Sequence, residues 1–222
     1  MNADLRSTWL LERAGNINMD YIFNKLILLP GIIVGLCFHE AAHAAMSNAL
    51  GDPTPKQQGR LTINPLAHID IIGFICLILF GFGWGKPVMI DPRHYKHRRR
   101  DEFLVSIAGV SVNLMIAVIL SFAAKMASSA YFASGSSLLG ILHLILVYAV
   151  MINLVLMIFN LIPVPPLDGF GIITQIFKLD EKPWYVKLYN YGTPILMILI
   201  VFNITDYIIS PLVSFFMGLL GL

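Results

Sequence analysis

The sequence predicts an all-α polytopic membrane protein: a transmembrane helix bundle with one re-entrant segment and a small membrane-associated β-hairpin. Composition carries the first part. Of 222 residues, 57% are hydrophobic and 13% charged, with mean hydropathy +0.76, about half the charge density of soluble domains. The apolar runs follow one another too closely to admit an inserted soluble domain. Residues 21–222 therefore read as a single membrane domain behind a polar segment, 1–20. One apolar run is too short to cross a bilayer. The net charge of +2 is too small to suggest nucleic acid. Cys37 and Cys76 both lie in apolar runs and read as small buried residues, not as a disulfide framework.

Taken in order, segment 1–20 is expected at the surface, and its Asp4, Glu12 and Asp20 argue against a cleavable signal peptide. Run A covers 21–50, with Pro30-Gly31 as a kink or a helix start. In the polar link, 51–68, Arg60-Leu61-Thr62-Ile63 alternates as a strand does, which is the origin of the expected hairpin. Run B, 69–83, is interrupted by Asp70, Gly73, Gly81 and Gly83. As a helix its 15 residues span roughly 22 Å against a ~30 Å hydrocarbon core. A basic loop, 86–102, leads to run C (103–124) and run D (138–162). A proline-rich turn, 163–169, opens a short amphipathic piece reaching about residue 191. The last run, 193–222, is broken by Asn203, Asp206 and Pro211. Asp206 either lines water or marks a break between two half-helices.

Chemistry enters at Phe38-His39-Glu40-Ala41-Ala42-His43. Two histidines four apart fall on one helical face, so both imidazoles can reach one metal ion. Glu40 beside them is placed to act as general base toward a water at that metal. An ionisable group inside an apolar run costs several kcal/mol to bury and marks function by default. A catalytic zinc takes three protein ligands, and Asp168, in the Pro-Pro-Leu-Asp-Gly turn directly after run D, is the best third. Its rivals are Asp70 and Asp206. This pattern reads as a protease that cuts within the membrane, with one Zn2+ per chain.

His39-Glu40-x-x-His43, followed by Asn160-Leu-Ile-Pro163-x-Pro165-Pro-Leu-Asp168-Gly169, resembles the site-2 protease family of intramembrane zinc metalloproteases, in its short prokaryotic branch. Further matches are Gly59-Arg60-Leu-Thr-x-Asn64-Pro65-Leu-x-His68-x-Asp70, Phe82-Gly83-Trp84-Gly-Lys86-Pro87-Val88, and Ala108-Gly109-x-x-x-Asn113. Val110 stands where a proline often follows the glycine of that last motif. The resemblance covers about residues 26–176. It implies His39, His43 and Asp168 as ligands, Glu40 as base, and Asn113 and Asn160 as polar groups near the substrate carbonyl. It also implies a single-span membrane protein as substrate, such as a tethered transcription regulator or its inhibitor, or a remnant signal peptide. The chain leaves no room for PDZ or CBS modules, so regulation through them is not expected.

Topology follows from the metal. If run B crossed the bilayer, runs A and D would point opposite ways and their ligands would lie on opposite faces. With B re-entrant, A and D are parallel and the ligands converge. One side then carries 11 Lys and Arg and the other 4, which places the richer side, and the mouth of the site, in the cytoplasm of a multi-pass cell-membrane protein. A spanning B would divide them 12 to 3, so the metal geometry makes the choice. The developing oxyanion needs donors, for which the amides of Asn113 or Asn160 are available. A helical substrate must unwind to be cut, and the 59–70 segment offers either a sheet edge for it or a plain structural hairpin.

Other polar residues have simpler readings. His68 and Asp70 order the turn into run B, or orient the ligands. His143 reads as interfacial, His94 and His97 as solvated, and Asn153 as a bond to a neighbouring helix. Arg98-Arg99-Arg100 reads as an anchor to anionic lipid of the bilayer. A metal transporter would need more acidic or histidine residues along runs C and D, which offer little beyond His143. An inactive scaffold would have no use for Glu40.

Overall fold

The computed structural model describes residues 3–80 and 83–222, with side chains described over 25–77 and 83–222. Gly81 and Phe82, and the surface exposure expected for segment 1–20, lie outside these described residues. Helix α1 (Ala3–Ala49) runs through the polar segment and run A, keeping Pro30 inside it. Its part Lys25–Ala49 is long and apolar enough to cross a membrane. Two short helices, α2 (Thr54–Gln57) and α3 (Pro65–His68), precede α4 (Ile71–Phe80). Then come α5 (Arg98–Ser134) and α6 (Ser137–Asn160), both able to span. The chain ends with α7 (Asp168–Phe177), α8 (Tyr185–Val201) and α9 (Asp206–Leu219).

Helices α1, α5 and α6 form the frame that positions the site. A Cβ on Gly31 would lie 2.7 Å from the Ala149 Cα, and one on Gly35 3.2 Å from Asn153 Oδ1. Rising numbers therefore meet rising numbers, so α1 and α6 are parallel and nearly touch backbone to backbone, as small residues allow. Helix α5 is antiparallel to both: Ala124 meets His143, and Asn113 meets Asn153. The core between α5 and α6 is Val110, Ala117, Val150, Leu154, Met157 and Ile158, with Ile209, Val213 and Phe216 of α9 packed over it.

Parallel α1 and α6 require the segment between α1 and α5 to return to the side it left. Helix α4 has 10 residues, about 15 Å at 1.5 Å per residue, or half the hydrocarbon core. A helix of that length does not cross the core by itself, which is the property on which the re-entrant expectation rests. Helix α5, at 37 residues, outruns run C at both ends and stops at Gly135, whose φ of 65° is left-handed. Helices α8 and α9 bend by 72° at their junction. Asn203 there takes φ 54°, and Asp206 opens α9 at the surface, so the last run is two half-helices.

The β-hairpin does not form. Among the described residues there is no strand, only an antiparallel bridge between Ile69 and Gly85. The physical reason is local. Pro65 removes a ladder donor, and Asn64 caps α3 by accepting from the Leu66 N–H at 3.1 Å. Arg60 donates to the Ala67 carbonyl and His68 bonds the Thr62 carbonyl at 2.7 Å. Segment 60–68 thus folds onto itself, and its four alternating residues find no partner strand.

Candidate metal centre

His39 and His43 stand one turn apart on α1 with their Nε2 atoms 3.0 Å from each other. Behind them both rings are held from α5. His43 Nδ1 donates to the Val105 carbonyl at 2.8 Å, and His39 Nδ1 donates to Asn113 Oδ1 at 2.7 Å. Each ring commits its proton at Nδ1, so each Nε2 presents a lone pair forward. Two such lone pairs face to face repel unless a cation lies between them. Gly109 of α5 forms the floor: a Cβ there would sit 2.5 Å from both His39 Cε1 and His43 Nε2. Only a glycine leaves the imidazoles in place.

Asp168 comes from the far end of the sequence. The chain turns sharply after α6, and a Cβ on Gly169 would lie 2.2 Å from the Leu161 carbonyl oxygen, so the turn closes only around a bare backbone. As the first residue of α7, Asp168 also sits at the positive end of that helix. Its Oδ2 lies 3.3 Å from His39 Nε2 and 3.4 Å from His43 Nε2, and is buried with no hydrogen-bond donor. The three donor atoms lie within 4.8 Å of one another. Two oriented imidazoles and an orphaned buried carboxylate oxygen are the donor set a catalytic zinc takes, so the residues fit the ion. Among the described residues no other group of this kind occurs.

Glu40, half-buried beside His39, accepts the Val88 N–H on Oε2 at 3.0 Å. Val88 belongs to a strap, 84–97, which is extended as far as Asp91 and then makes a short helical turn at Pro92–His94, and it is tied to the body at several points. Lys86 N–H donates to the His68 carbonyl at 2.7 Å. Asp91 N–H donates to Asp52 Oδ2 at 2.8 Å. Ser47 gives its proton to Asp52, so Tyr95 donates to the Ser47 oxygen at 2.7 Å. Burial alone would raise the Asp52 carboxyl, but bonds from Thr54, Asp91 and Ser47 outweigh it and hold the group below its ordinary value. Burial pushes the Tyr95 phenol up to about 12, against the pull of Ser47. No residue type signals the Val88 contact in advance, because the donor is backbone.

The structure brings His39, His43, Asp168 and Asn113 together, with Glu40 beside them. Asn113 is fully buried, and its amide donates to the Gly35 carbonyl and to Asn153 Oδ1, each at 3.1 Å. Asn153 in turn donates to the Ala149 carbonyl at 2.8 Å. Asn160 ends α6 and donates to the Leu156 carbonyl at 2.9 Å, with no hydrogen bond to the cluster. Asp70 caps α4 through the Gly73 N–H at 2.8 Å. His143 bonds the Ala124 carbonyl at 2.9 Å, and His94 lies 3.5 Å from Asp52, not simply in solvent. Arg98 and Arg100 pair with Glu102 and Asp101 within α5, and Arg99 pairs with Asp180 and Glu181, which links α5 to the turn before α8.

Comparison with known proteins points to zinc metalloproteases. A model described as Peptidase family M50 matches residues 128–203. "Putative zinc metalloprotease YwhC" of Bacillus subtilis (strain 168) is 34% identical over 204 residues, covering 87% of this chain and 90% of the relative. "Putative zinc metalloprotease Rip2" of Mycolicibacterium smegmatis is 27% identical over 191 residues, covering 82% and 70% respectively. The protein of that name in Mycobacterium tuberculosis (strain H37Rv) is 28% identical over 184 residues, covering 78% and 66%. No solved structure matches the chain.

Proposed function

Because this chain belongs to the site-2 protease family of membrane zinc metalloproteases, we propose that it hydrolyses peptide bonds in or beside the transmembrane segments of single-span membrane proteins. The carrying observation is the convergence of His39, His43 and Asp168 near the end of a membrane-crossing helix, with a carboxylate beside them. Bound zinc supplies an electrophile for the scissile carbonyl and renders a water acidic enough to attack near neutral pH.

The chain's own residues do the rest. His39, His43 and Asp168 hold the ion. Glu40, steadied at Oε2 by Val88, keeps Oε1 for the proton of the attacking water and passes it to the leaving amine. Asn113 has both amide hydrogens committed inside the protein, so its part is to orient His39. Asn160 has one amide hydrogen outside its bond to Leu156 and is the proposed oxyanion donor.

The test is metal removal. Purified protein stripped with a chelator should stop cutting a single-span test peptide and recover with about one zinc per chain. Undiminished cutting by zinc-free protein would overturn the reading. We also place the mouth of the site on the cytoplasmic side, from the excess of Lys and Arg there. A cysteine at Arg98 should then react with an impermeant reagent only from the cytoplasm, and one at Ser7 only from outside. The reverse pattern would invert the orientation.

A further inference from the structure

A cavity of about 170 Å³ lies between α1, α4, α6 and the start of the strap. Ile32 and Leu36 of α1, Phe74 and Leu77 of α4, Trp84 and Leu156 help line it, and among the described residues no charged side chain does. Two of these elements also bracket the catalytic base. Leu36 and Ile32 precede Glu40 by four and eight residues on α1, so they lie down the same side of the helix, about 6 Å deeper for each step. Trp84 stands four residues before Val88, whose N–H holds Glu40. The helix that carries Glu40 and the strap that holds it thus both contribute walls to this cavity.

Size and chemistry choose the occupant. A dry apolar cavity of ~150 Å³ takes up one benzene ring, so this one accepts a Leu, Met or Phe side chain and is too small for an indole with its stem. A charged group would be buried here without a partner. We propose that the cavity is the subsite for one apolar side chain of the unwound substrate, on the side of the scissile bond that faces the membrane interior. The proposal rests on the protease reading above. It makes Leu36, Leu77 and Trp84 specificity-determining.

The experiment is cleavage-site profiling on a proteome-derived peptide library in detergent, with zinc-loaded protein and cut sites read by mass spectrometry. Wild type should show a Leu, Met or Phe preference at one subsite. Leu77→Trp fills the cavity and should lower the ratio of cutting at large to small residues by about tenfold or more, as pocket-size changes do. Leu36→Ala enlarges it and should move the ratio toward Tyr and Trp, which serves if the filled variant does not fold. An unchanged ratio in a folded, zinc-loaded variant would overturn the proposal and is the result expected if a lipid acyl chain fills the cavity instead. Absence of any cutting by wild type, indistinguishable from Glu40→Gln, would sink the protease reading itself.

Discussion

Glu40→Gln should retain about one zinc per chain and lose proteolysis by 10²- to 10⁴-fold, the usual worth of a positioned general base. The amide is isosteric, and its oxygen can still accept the Val88 N–H that now reaches Oε2 at 3.0 Å. The imidazoles keep their partners at Val105 and Asn113, so the ion has no reason to leave. What disappears is the capacity to take a proton. Cutting at near the wild-type rate would remove Glu40 from the mechanism. A companion change reads the strap: Val88→Pro deletes the N–H in an extended segment already holding Pro87. A lost hydrogen bond to a charged group predicts a fall of about tenfold in kcat with KM held. Val88→Ala keeps the donor and should fall much less. Equal effects of the two would deny the contact a role.

Asp168→Ala should cost zinc affinity beyond the 10- to 100-fold typical of losing an outer partner, and abolish cleavage while the protein stays inserted. Insertion should survive because the other two ligands sit on one helix and α1, α5 and α6 pack without Asp168. Asp168→Asn should fail too, since a neutral amide is a poor zinc ligand. The rivals are placed elsewhere: Asp70 caps α4 and Asp206 opens α9. Zinc content and activity of Ala variants at 70, 168 and 206 give the test. Loss at 70 or 206 with full retention at 168 would sink the ligand set.

The parts of this architecture legible in the sequence are those written in side-chain type and spacing. His39 and His43 follow from helical periodicity, and Asp168 from a proline-rich turn at the end of an apolar run. The short, glycine-broken run B yields α4, a helix of 10 residues. The missed parts depend on backbone and on partners distant in the chain. Four alternating residues at 60–63 cannot reveal that Arg60 and His68 will spend themselves on neighbouring carbonyls. An arginine triplet does not disclose that Asp180 and Glu181, some eighty residues on, face it. The grip of Val88 on Glu40 leaves no mark in residue type. Asn113 was legible as important, but its position behind His39 required three helices in register.

A hydrolase that admits water into a bilayer endangers the ion gradient the bilayer maintains. Behind His39 the polar line runs through Asn113 and Asn153 and ends on the Gly35 and Ala149 carbonyls. Neither amide carries a proton that dissociates near neutral pH, and past them stand Ala117, Val150 and Leu154. The chain of hydrogen bonds that aims the histidine is thus an insulator. If peptide bonds are cut at this site as proposed, the amide line behind His39 offers the protons involved no titratable relay into the helix core.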